Sequence, residues 1–419
     1  MSIIKSPTLI LGVAPPHPID QSIRFNDDDS AYMSRTPSGA SNRKTFSFSC
    51  WLKLGSGTID SGAEKAFFSA RDGSSDYYSI LSFNGDQSGA SQLEFVNRNG
   101  SSYAGYVYTT QLFRDPSAWY HIVLNVDTTD AISSERIKLY VNGLRVTDVT
   151  YSAPSLNLDM NMNNNIATAI GARPTNNLHF DGYLAEIHFL DSYAYDPSFF
   201  GEFNDSGIWI PKKYSGSYGT NGFHIKGETA SDLGNDSSGN NNDFTTSGLA
   251  SHDQVLDTPT NNFCVLTPLA SLMNSGSTLS NGNLKIVLSG NDQFHSNFEI
   301  SEKSYCEVRL DASSNYGGVL GFGTFQGLDD DDNTIAFSMN YLSGRINLGN
   351  GSSGGDIGGN VSVGDIIMMA LDPDTRKWWV GVNGTWRNSG DPAGGTGYVY
   401  QYATDYFDTS SSYSTTDGI

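Results

Sequence analysis

Residues 119–146 constrain the fold more than any other stretch, because apolar and polar residues alternate along them. Apolar residues take every second position over 120–126 and again over 137–141. A period of two predicts β-strands that each bury one face. Asn142-Gly143 follows the second strand, and because both residues tolerate a positive φ, a two-residue type I′ turn is predicted there. The stretch therefore predicts an antiparallel meander.

The same pattern returns near the far end of the chain. An apolar run over residues 364–371 is closed by Asp372-Pro373, and a second strand-like run ends at Asn383-Gly384. Two such meanders predict two β-sandwich domains. Aromatic residues, which suit pleated surfaces, make up 12% of the chain and are mostly Tyr and Phe. The predicted fold class is therefore all-β.

Changes of pattern along the chain predict four parts. Residues 1–18 form an N-terminal docking arm with one short apolar strand, and residues 19–212 form the first sandwich. Residues 213–262 are a polar linker rich in Gly, Asn and Ser, and residues 263–419 form the second sandwich. No apolar strand closes that sandwich at its end, and an unpaired sheet edge attracts partners. We therefore expect a neighbouring copy, the arm's strand or residues beyond Ile419 to complete it, so that the isolated chain oligomerises.

The first sandwich has a predicted register. The strand over Thr45–Leu54 and the meander are expected to share one core. Its predicted members are Phe46, Phe48, Cys50, Ile122, Leu124, Leu139 and Val141. The alternate residues Ser47, Ser49 and Lys53 are expected on the solvent side, since a slip of one residue would exchange the two sets.

Charge and cysteine content restrict the partners and the compartment. The chain has 24 basic and 45 acidic residues, and a net charge of −21 disfavours binding to nucleic acid or anionic lipid. No apolar run approaches the ~18 residues of a transmembrane helix. Cys50, Cys264 and Cys306 cannot all pair, and two of them fall on apolar faces, so they are interpreted as buried thiols. We predict no membrane insertion and synthesis in a reducing cytoplasm.

Two known domain families resemble parts of the chain. Residues 22–200 resemble laminin-G-like domains of the concanavalin A-like superfamily through S-I-R-F, S-F-S-C-W-L-K-L, A-W-Y-H-I-V-L-N-V-D, I-K-L-Y-V-N-G and D-G-Y-L-A-E-I-H-F. Residues 304–390 resemble a SPRY domain through S-Y-C-E-V-R-L, G-V-L-G-F-G and W-W-V-G-V-N-G, but lack its closing aromatic strand. The joining region, with D-P-S-F-F-G-E-F and D-S-S-G-N-N-N-D-F, is similar to one in virion and tail-fibre proteins of marine tailed phages.

These resemblances imply two jelly rolls in a virion surface protein of a tailed phage. The implied role is that of a tail fibre or receptor-binding component that recognises host surface glycans. Its implied partners are other virion proteins and further copies of itself, with a trimer favoured. Three alternatives stay open: a capsid decoration or head-fibre protein, a glycan-degrading enzyme of the concanavalin-like superfamily, and a bacterial adhesin.

Catalytic motifs are missing from the sequence. A retaining glycosidase needs two carboxyl groups about 5 Å apart, but Glu186 has only Asp191 nearby, at an odd spacing that puts it on the opposite face. The seven histidines form no H-x-x-x-H or H-E-x-x-H pair, and no phosphate-binding G-x-x-x-x-G-K-[ST] motif occurs. The sequence therefore predicts a protein without enzymatic activity and without a catalytic residue.

Acidic clusters are candidate calcium ligands, because calcium binds six to eight oxygen atoms. The candidate ligands are Asp127, Asp130, Asp329, Asp330, Asp331 and Asp332. None of them has EF-hand spacing, and aspartates in β-turns also cap backbone amides. Calcium and amide capping therefore stay open as alternatives for these residues, whereas the loop from Asp236 to Asp243 is predicted to satisfy its own backbone. No other cofactor is expected.

Exposed aromatic side chains are candidate sugar-binding groups, because a sugar ring can stack its apolar face on Trp or Tyr. The candidates are Trp386, Arg387, Tyr77, Tyr78, Tyr103 and Tyr106. Trp386 is the first choice, since it follows the second Asn-Gly turn and precedes Arg387. The remaining tryptophans lie within strand-like runs and are predicted to pack: Trp51, Trp119, Trp209, Trp378 and Trp379.

Overall fold

The computed structural model describes residues 17–59, 63–73, 75–86, 90–175, 177–267, 277–287, 295–296, 303–311, 319–320, 338–340, 345–347, 353–356 and 361–401. The chain forms two compact units, Leu9–Asn297 and Phe298–Ile419 together with Met1–Thr8. The described residues form antiparallel sheets, and their helices are single turns, so the predicted all-β class is confirmed. Among them, no helix has the length and apolar character needed to cross a membrane.

The strands of the first unit are β1 (Ser22–Phe25), β2 (Tyr32–Arg35), β3 (Thr45–Leu54), β4 (Lys65–Arg71), β5 (Tyr78–Asp86), β6 (Ala90–Asn99), β7 (Ser102–Leu112), β8 (Trp119–Asp127), β9 (Ile137–Val141), β10 (Leu144–Arg145), β11 (Val149–Ser152), β12 (Ala167–Ile170), β13 (Gly182–Asp191), β14 (Gly201–Phe203), β15 (Trp209–Pro211), β16 (Phe223–Ile225), β17 (Thr245–Ser247), β18 (Gln254–Val255), β19 (Leu266–Thr267), β20 (Thr278–Ser280), β21 (Lys285–Val287) and β22 (His295–Ser296). Single helical turns occupy Ser56–Ile59, Ser133–Glu135, Pro197–Phe199 and Ser251–Asp253.

Two antiparallel sheets form a sandwich in the first unit. Sheet A runs β10-β9-β8-β3-β13-β1-β18, with β16 paired to β13, and sheet B runs β11-β7-β6-β5-β4-β12-β2-β17. Their inner faces meet in one hydrophobic core, where the rings of Phe48 in sheet A and Phe68 in sheet B stack with centroids 4.3 Å apart. The outer faces of the two sheets are therefore not part of this core.

The predicted register of this sandwich is confirmed. β3 covers Thr45–Leu54 and pairs with β8, which pairs with β9. The residues predicted to share the core are all buried in one cluster: Phe46, Phe48, Cys50, Ile122, Leu124, Leu139 and Val141. The turn after β9 has φ of 48° at Asn142 and 81° at Gly143, as a type I′ turn requires. Alternation and turn chemistry therefore lead to the same strand pairing.

The outer face of sheet A is also buried, contrary to the prediction. Ser47, Ser49 and Lys53, expected on the solvent side, are 0%, 1% and 0% exposed. Later parts of the chain cover and satisfy them: Ser47 Oγ donates to the carbonyl of Tyr193 at 2.6 Å, and Lys53 Nζ donates to Asp257 at 2.8 Å. The expectation of an exposed face was wrong because a second layer of chain lies over sheet A, whereas the register was right.

Part of this layer comes from residues 213–262, for which a linker was predicted. β16 pairs with β13, β17 with β2 and β18 with β1, so the range extends both sheets. In the loop after β16, the Asp236 carboxylate accepts hydrogen bonds from the backbone N–H groups of His224, Ser238 and Asn242, as predicted for this loop. These pairings show that the linker assignment was wrong. Gly- and Asn-rich turns between short strands have the same composition as a linker, so composition alone could not distinguish the two.

The chain remains with the first unit beyond residue 263, where the second sandwich was predicted to begin. The hydroxyl of Tyr183 donates to the carbonyl of Gly282 at 2.7 Å, and the backbone N–H of Ser56 donates to Asn283 at 2.7 Å. The division between the compact units falls at Asn297. These contacts assign the described residues between 263 and 297 to the first unit.

The strands of the second unit are β23 (Ser304–Arg309), β24 (Val319–Leu320), β25 (Ser338–Asn340), β26 (Arg345–Asn347), β27 (Ser353–Asp356), β28 (Ile366–Asp372), β29 (Lys377–Val382), β30 (Thr385–Trp386) and β31 (Tyr400–Gln401). One sheet runs β23-β28-β29-β30 with β31 on β29, and the other runs β24-β25-β26-β27. The late meander is therefore confirmed, with φ of 49° at Asn383 and 80° at Gly384. The arm's strand and the residues after 401 lie outside the described residues, so completion of this sandwich stays a prediction.

Candidate functional site

The structure separates the predicted ligand-binding residues into two groups. Tyr77, Tyr78, Tyr103 and Tyr106 belong to β5, β7 and the turn before β5 in the first unit, whereas Trp386 and Arg387 belong to the second unit. The tryptophans predicted to pack are buried or partly buried: Trp51, Trp119, Trp209, Trp378 and Trp379. Packing rather than display is confirmed for this set.

Tyrosines form a row on the outer face of sheet B. Tyr106 and Tyr108 alternate along β7 with Val107, which lies in the core. A register shift between β6 and β7 places Tyr103 opposite Arg98. The ring centroids of Tyr103 and Tyr106 are 5.9 Å apart, and those of Tyr106 and Tyr108 are 4.8 Å apart. We call this surface the tyrosine face; it consists of Tyr103, Tyr106, Tyr108 and Arg98, together with Tyr78, which is buried and packs against Tyr106 and Tyr108.

Arg98 is the positive charge of the tyrosine face. It pairs across the strands with both Tyr78 and Tyr103, and its guanidinium lies 5.4 Å from the centroid of the Tyr103 ring. The side chain is held by a hydrogen bond from Nε to the carbonyl of Gly100 at 3.0 Å and by an ion pair with Asp76 at 3.6 Å. A fixed guanidinium beside a Tyr103 ring that is 55% exposed offers both donors and a stacking surface to a ligand.

A pair of carboxyl groups adjoins the tyrosine face. Glu94 lies opposite Tyr108 in the sheet and accepts hydrogen bonds from Ser82 at 2.9 Å and Asn84 at 3.2 Å. Glu64 accepts from the same Ser82 hydroxyl at 3.1 Å. Burial, followed by the charge of Glu64, raises the pKa of Glu94 to about 7, and burial also raises the pKa of Glu64. The pair therefore holds a proton near neutral pH.

Replacing Glu94 by glutamine is expected to stabilise the first unit more at pH 8 than at pH 5. The folded-state pKa of about 7 lies above the unfolded value of about 4.3, so the stability that Glu94 contributes at low pH is lost as the pH rises between these values. Glutamine does not ionise, so the gain should be on the order of 2 kcal/mol above pH 7. Denaturant unfolding at both pH values measures it, and an equal effect at both would contradict the raised pKa.

The aromatic group of the second unit is smaller. Trp386, on β30, is partly buried, and its ring lies edge to face with that of Tyr305 at a centroid distance of 6.0 Å. Arg387 begins the single helical turn Arg387–Ser389 directly after it. The structure thus adds Tyr305 to the two residues that the sequence predicted in this place.

The candidate calcium ligands Asp127 and Asp130 cap turns. Asp127 Oδ1 accepts hydrogen bonds from the backbone N–H and the hydroxyl of Thr129 at 3.0 and 2.6 Å. Asp130 Oδ1 accepts one from the backbone N–H of Ile132 at 2.8 Å. Amide capping, one of the two alternatives, is therefore present, and calcium binding stays a prediction. The other candidates, Asp329, Asp330, Asp331 and Asp332, lie outside the described residues.

Sequence reasoning found part of the tyrosine face and missed the rest. Tyr108 was missed although its position two residues after Tyr106 gives it the same face, so period-two alternation was the signal for it. Glu64 and Glu94 are on different segments and meet only because Ser82 on β5 lies between them. Paired carboxylates on one strand are visible in a sequence, whereas a pair that forms across strands is not.

The part of the chain that contains the tyrosine face matches a family model. Residues 27–195 match the laminin-G-type family model described as the concanavalin A-like lectin/glucanases superfamily. Both sheets of the sandwich contribute strands to this range, and the whole tyrosine face lies inside it. None of the curated proteins matches the sequence significantly.

Several solved structures are similar to the chain at low identity. A carbohydrate-binding candidate from Bacteroides ovatus is 14% identical, with 55% of this chain and 58% of that chain covered and a TM-score of 0.33. Domains LG4-5 of the mouse laminin alpha1 chain are 9% identical, with 90% and 79% covered and a TM-score of 0.33. A SAP-like pentraxin from Limulus polyphemus is 14% identical, with 42% and 78% covered and a TM-score of 0.30.

Proposed function

We propose that the protein is a non-enzymatic, glycan-binding protein on the surface of a tailed-phage virion, and that the tyrosine face binds the glycan. The observation that carries the proposal is the row of Tyr103, Tyr106 and Tyr108, whose rings contact one another beside the guanidinium of Arg98. The match of residues 27–195 to a lectin and glucanase family model supports it.

The chemistry of the tyrosine face suits a sugar chain. The apolar face of a pyranose ring stacks on the exposed ring of Tyr103, and the next sugar reaches Tyr106 or Tyr108 along the same strand. Arg98 donates hydrogen bonds to hydroxyl or carboxylate oxygens of the sugar. A second guanidinium, that of Arg173, lies 5.8 Å from the centroid of the Tyr78 ring. In a chain with a net charge of −21, these cations favour a glycan that carries acidic groups.

A glycan-degrading enzyme is the second candidate, favoured by the Glu64–Glu94 pair. A retaining glycosidase keeps its carboxyl groups about 5 Å apart and an inverting one keeps them farther apart. Here both groups accept a hydrogen bond from the same Ser82 hydroxyl, so the Ser82 side chain lies between them, where a glycosidase would hold the bond to be cleaved. This arrangement supports binding without hydrolysis. Release of reducing ends from bacterial or algal polysaccharide would support the enzyme instead.

The double substitution Tyr103→Ala, Tyr106→Ala is expected to weaken glycan binding by about tenfold or more, because each aromatic contact contributes about 0.5–1.5 kcal/mol beyond its buried area. The matched control is Tyr103→Phe, Tyr106→Phe, which keeps both rings and should retain most of the affinity. Trp386→Ala tests the other aromatic group and should have no effect. A panel of immobilised bacterial surface polysaccharides provides the measurement, with circular dichroism to check the fold.

Two results would contradict this assignment of the site. Unchanged binding by the alanine pair would remove the tyrosine face from the proposal. Loss of binding on Trp386→Ala would move the site to the second unit, where the SPRY-like resemblance applies.

Within the virion, we place the protein in a tail fibre or another receptor-binding component, associated with other virion proteins. The region after β13 supports this through its similarity to phage tail-fibre proteins, and capsid decoration or a head fibre is the alternative location. Electron microscopy of virions labelled with an antibody against this chain separates the two locations.

Light scattering tests the expected homo-oligomer, favoured as a trimer, and a mass equal to one 45.3 kDa chain would contradict it.

A further inference from the structure

A second cluster of polar side chains lies on the covered outer face of sheet A, away from the tyrosine face. Its centre is the Oε2 atom of Glu186 on β13. The Nε2 atoms of three histidines surround this oxygen: His224 at 3.0 Å, His188 at 3.4 Å and His17 at 3.5 Å. The ligand-type atoms of Glu186, His188 and His224 all lie within 4.8 Å of one another.

The backbone is distorted to build this cluster. β13 pairs with β3 from Ala185 to Trp51 and then from His188 to Ser49, so two residues of β13 stand opposite one residue of β3. In this bulge Glu186 has a φ of 47°, a strained value for a residue other than glycine. Ile187 stays in the core, and Glu186 joins His188 on the outer side. Bulges with such strain occur preferentially at functional sites.

We propose that His17, Glu186, His188 and His224 bind one Zn²⁺ ion. With bonds of 2.0–2.1 Å, two ligand atoms of a tetrahedral zinc site lie about 3.3 Å apart. The Glu186 oxygen lies 3.0, 3.4 and 3.5 Å from the three histidine nitrogens, close to this spacing, and the ligand-type atoms of Glu186, His188 and His224 lie within 4.8 Å of one another. The rings of His188 and His224 stack with centroids 4.0 Å apart, so they would turn apart for both nitrogens to face one ion. Three imidazole nitrogens and one carboxylate oxygen also form a donor set that suits zinc.

The contacts of the histidine ring nitrogens favour a bound metal ion over a simple ion pair with Glu186. The Nε2 atom of His17 is buried and lies 3.5 Å from the Glu186 oxygen, at the outer limit of a hydrogen bond. The Nδ1 atom of His188 contacts the hydroxyl of Tyr218 at 3.0 Å, and such a contact fixes the ring with Nε2 toward a metal.

The site has the character of a structural metal centre. Ser49, Trp51, His121 and Phe200 line the pocket around the cluster. With three histidines and one carboxylate as ligands, all four positions of a tetrahedral ion would be filled by protein atoms, as in closed structural zinc sites. The ligands come from the segment before β1, from β13 and from β16, so one ion would join that segment to two paired strands of sheet A.

Metal-free protein titrated with Zn²⁺ tests this inference. One ion per chain should bind, with a rise in Tm, and substitution by Co²⁺ should give the visible absorption of a tetrahedral site. Glu186→Gln and His224→Ala should each weaken binding on the order of 100-fold or more, since even supporting residues of metal sites contribute 10- to 100-fold. The matched control is His252→Ala, whose side chain is 70% exposed and away from the cluster, and it should bind like the wild type.

The Co²⁺ spectrum of the wild type needs no variant, so it decides the question even if the substituted chains misfold. A stoichiometry near zero, an unchanged Tm and an octahedral Co²⁺ spectrum would overturn the inference and leave a hydrogen-bonded Glu–His cluster. Equal weakening by His252→Ala would overturn it as well, because binding would then be adventitious. Glycan binding is measured separately, at the tyrosine face, and either outcome leaves that proposal standing.

Discussion

Replacing Phe48 by alanine is expected to lower the free energy of unfolding of the first unit by about 3–5 kcal/mol. Phe48 is 0% exposed and lies where the two sheets meet, with its ring stacked on Phe68 at 4.3 Å and 9° between the planes. Phe67 contacts the same ring at 6.3 Å. Truncation removes these contacts and leaves a cavity that surrounding strands, fixed by their hydrogen bonds, cannot close.

Leu144→Ala is the matched control for this substitution, because Leu144 lies in the same sheet on β10 but is 64% exposed. Its effect should stay within about 0.5 kcal/mol. Chemical denaturation followed by fluorescence measures both variants. If Phe48→Ala and Leu144→Ala had similar effects, Phe48 would not lie at the centre of the core and the register of β3 would be wrong.

Replacing Lys53 by methionine should also destabilise the first unit by about 3–5 kcal/mol, because it leaves a buried carboxylate without its partner. Lys53 Nζ is 2.8 Å from Asp257 and also donates to Asn262 and to the carbonyl of Phe263. Burial lowers the pKa of Lys53, and attraction by Asp257 opposes this. The Lys53 ammonium group thus links sheet A to the segment that covers its outer face.

Two further variants separate this ion pair from general effects of charge. Lys44→Met removes an exposed partner of Asp159, at 3.8 Å, and should change the stability by less than about 1 kcal/mol. Asp257→Asn combined with Lys53→Met removes both charges and should recover much of the loss, since the buried carboxylate no longer lacks a partner. A double variant as unstable as Lys53→Met alone would show that lost packing, not the unpaired charge, causes the effect.

Local patterns were sufficient to predict the strands of the sandwich and their faces. The alternation over Thr45–Leu54 identified Phe46, Phe48 and Cys50 as core residues because the side-chain period of a strand is set by the backbone alone. Asn142-Gly143 fixed a turn for the same reason, since few residues adopt its positive φ values. Such features depend on neighbours in sequence and are therefore accessible without a structure.

The covered face of sheet A could not be predicted in this way. Ser47, Ser49 and Lys53 are polar and alternate with core residues, which is also the pattern of a strand that faces solvent. They are buried because Tyr193 and Asp257, distant in sequence, supply their hydrogen-bond partners. In the sequence, a polar residue covered by a second layer of chain looks the same as an exposed one. Only its long-range contacts distinguish the two.

The candidate sites depend on long-range contacts and on an irregular strand. Tyr103 and Tyr106 were accessible as aromatic residues in a predicted strand, but their contact with Arg98 depends on the pairing of β6 with β7. Glu186 and His188 formed no known metal motif, because the third and fourth ligand-type residues, His224 and His17, come from other segments. The bulge that directs Glu186 outward has no marker in the sequence.

The most direct test of the account is a nuclear magnetic resonance titration of the chain, with tyrosine and tryptophan rings labelled, against a surface polysaccharide that it binds. The resonances of Tyr103 and Tyr106 should shift and saturate together, because the sugar stacks on their rings. The resonance of Trp386 should stay in place. Shifts at Trp386 without shifts at the two tyrosines would contradict glycan binding at the tyrosine face.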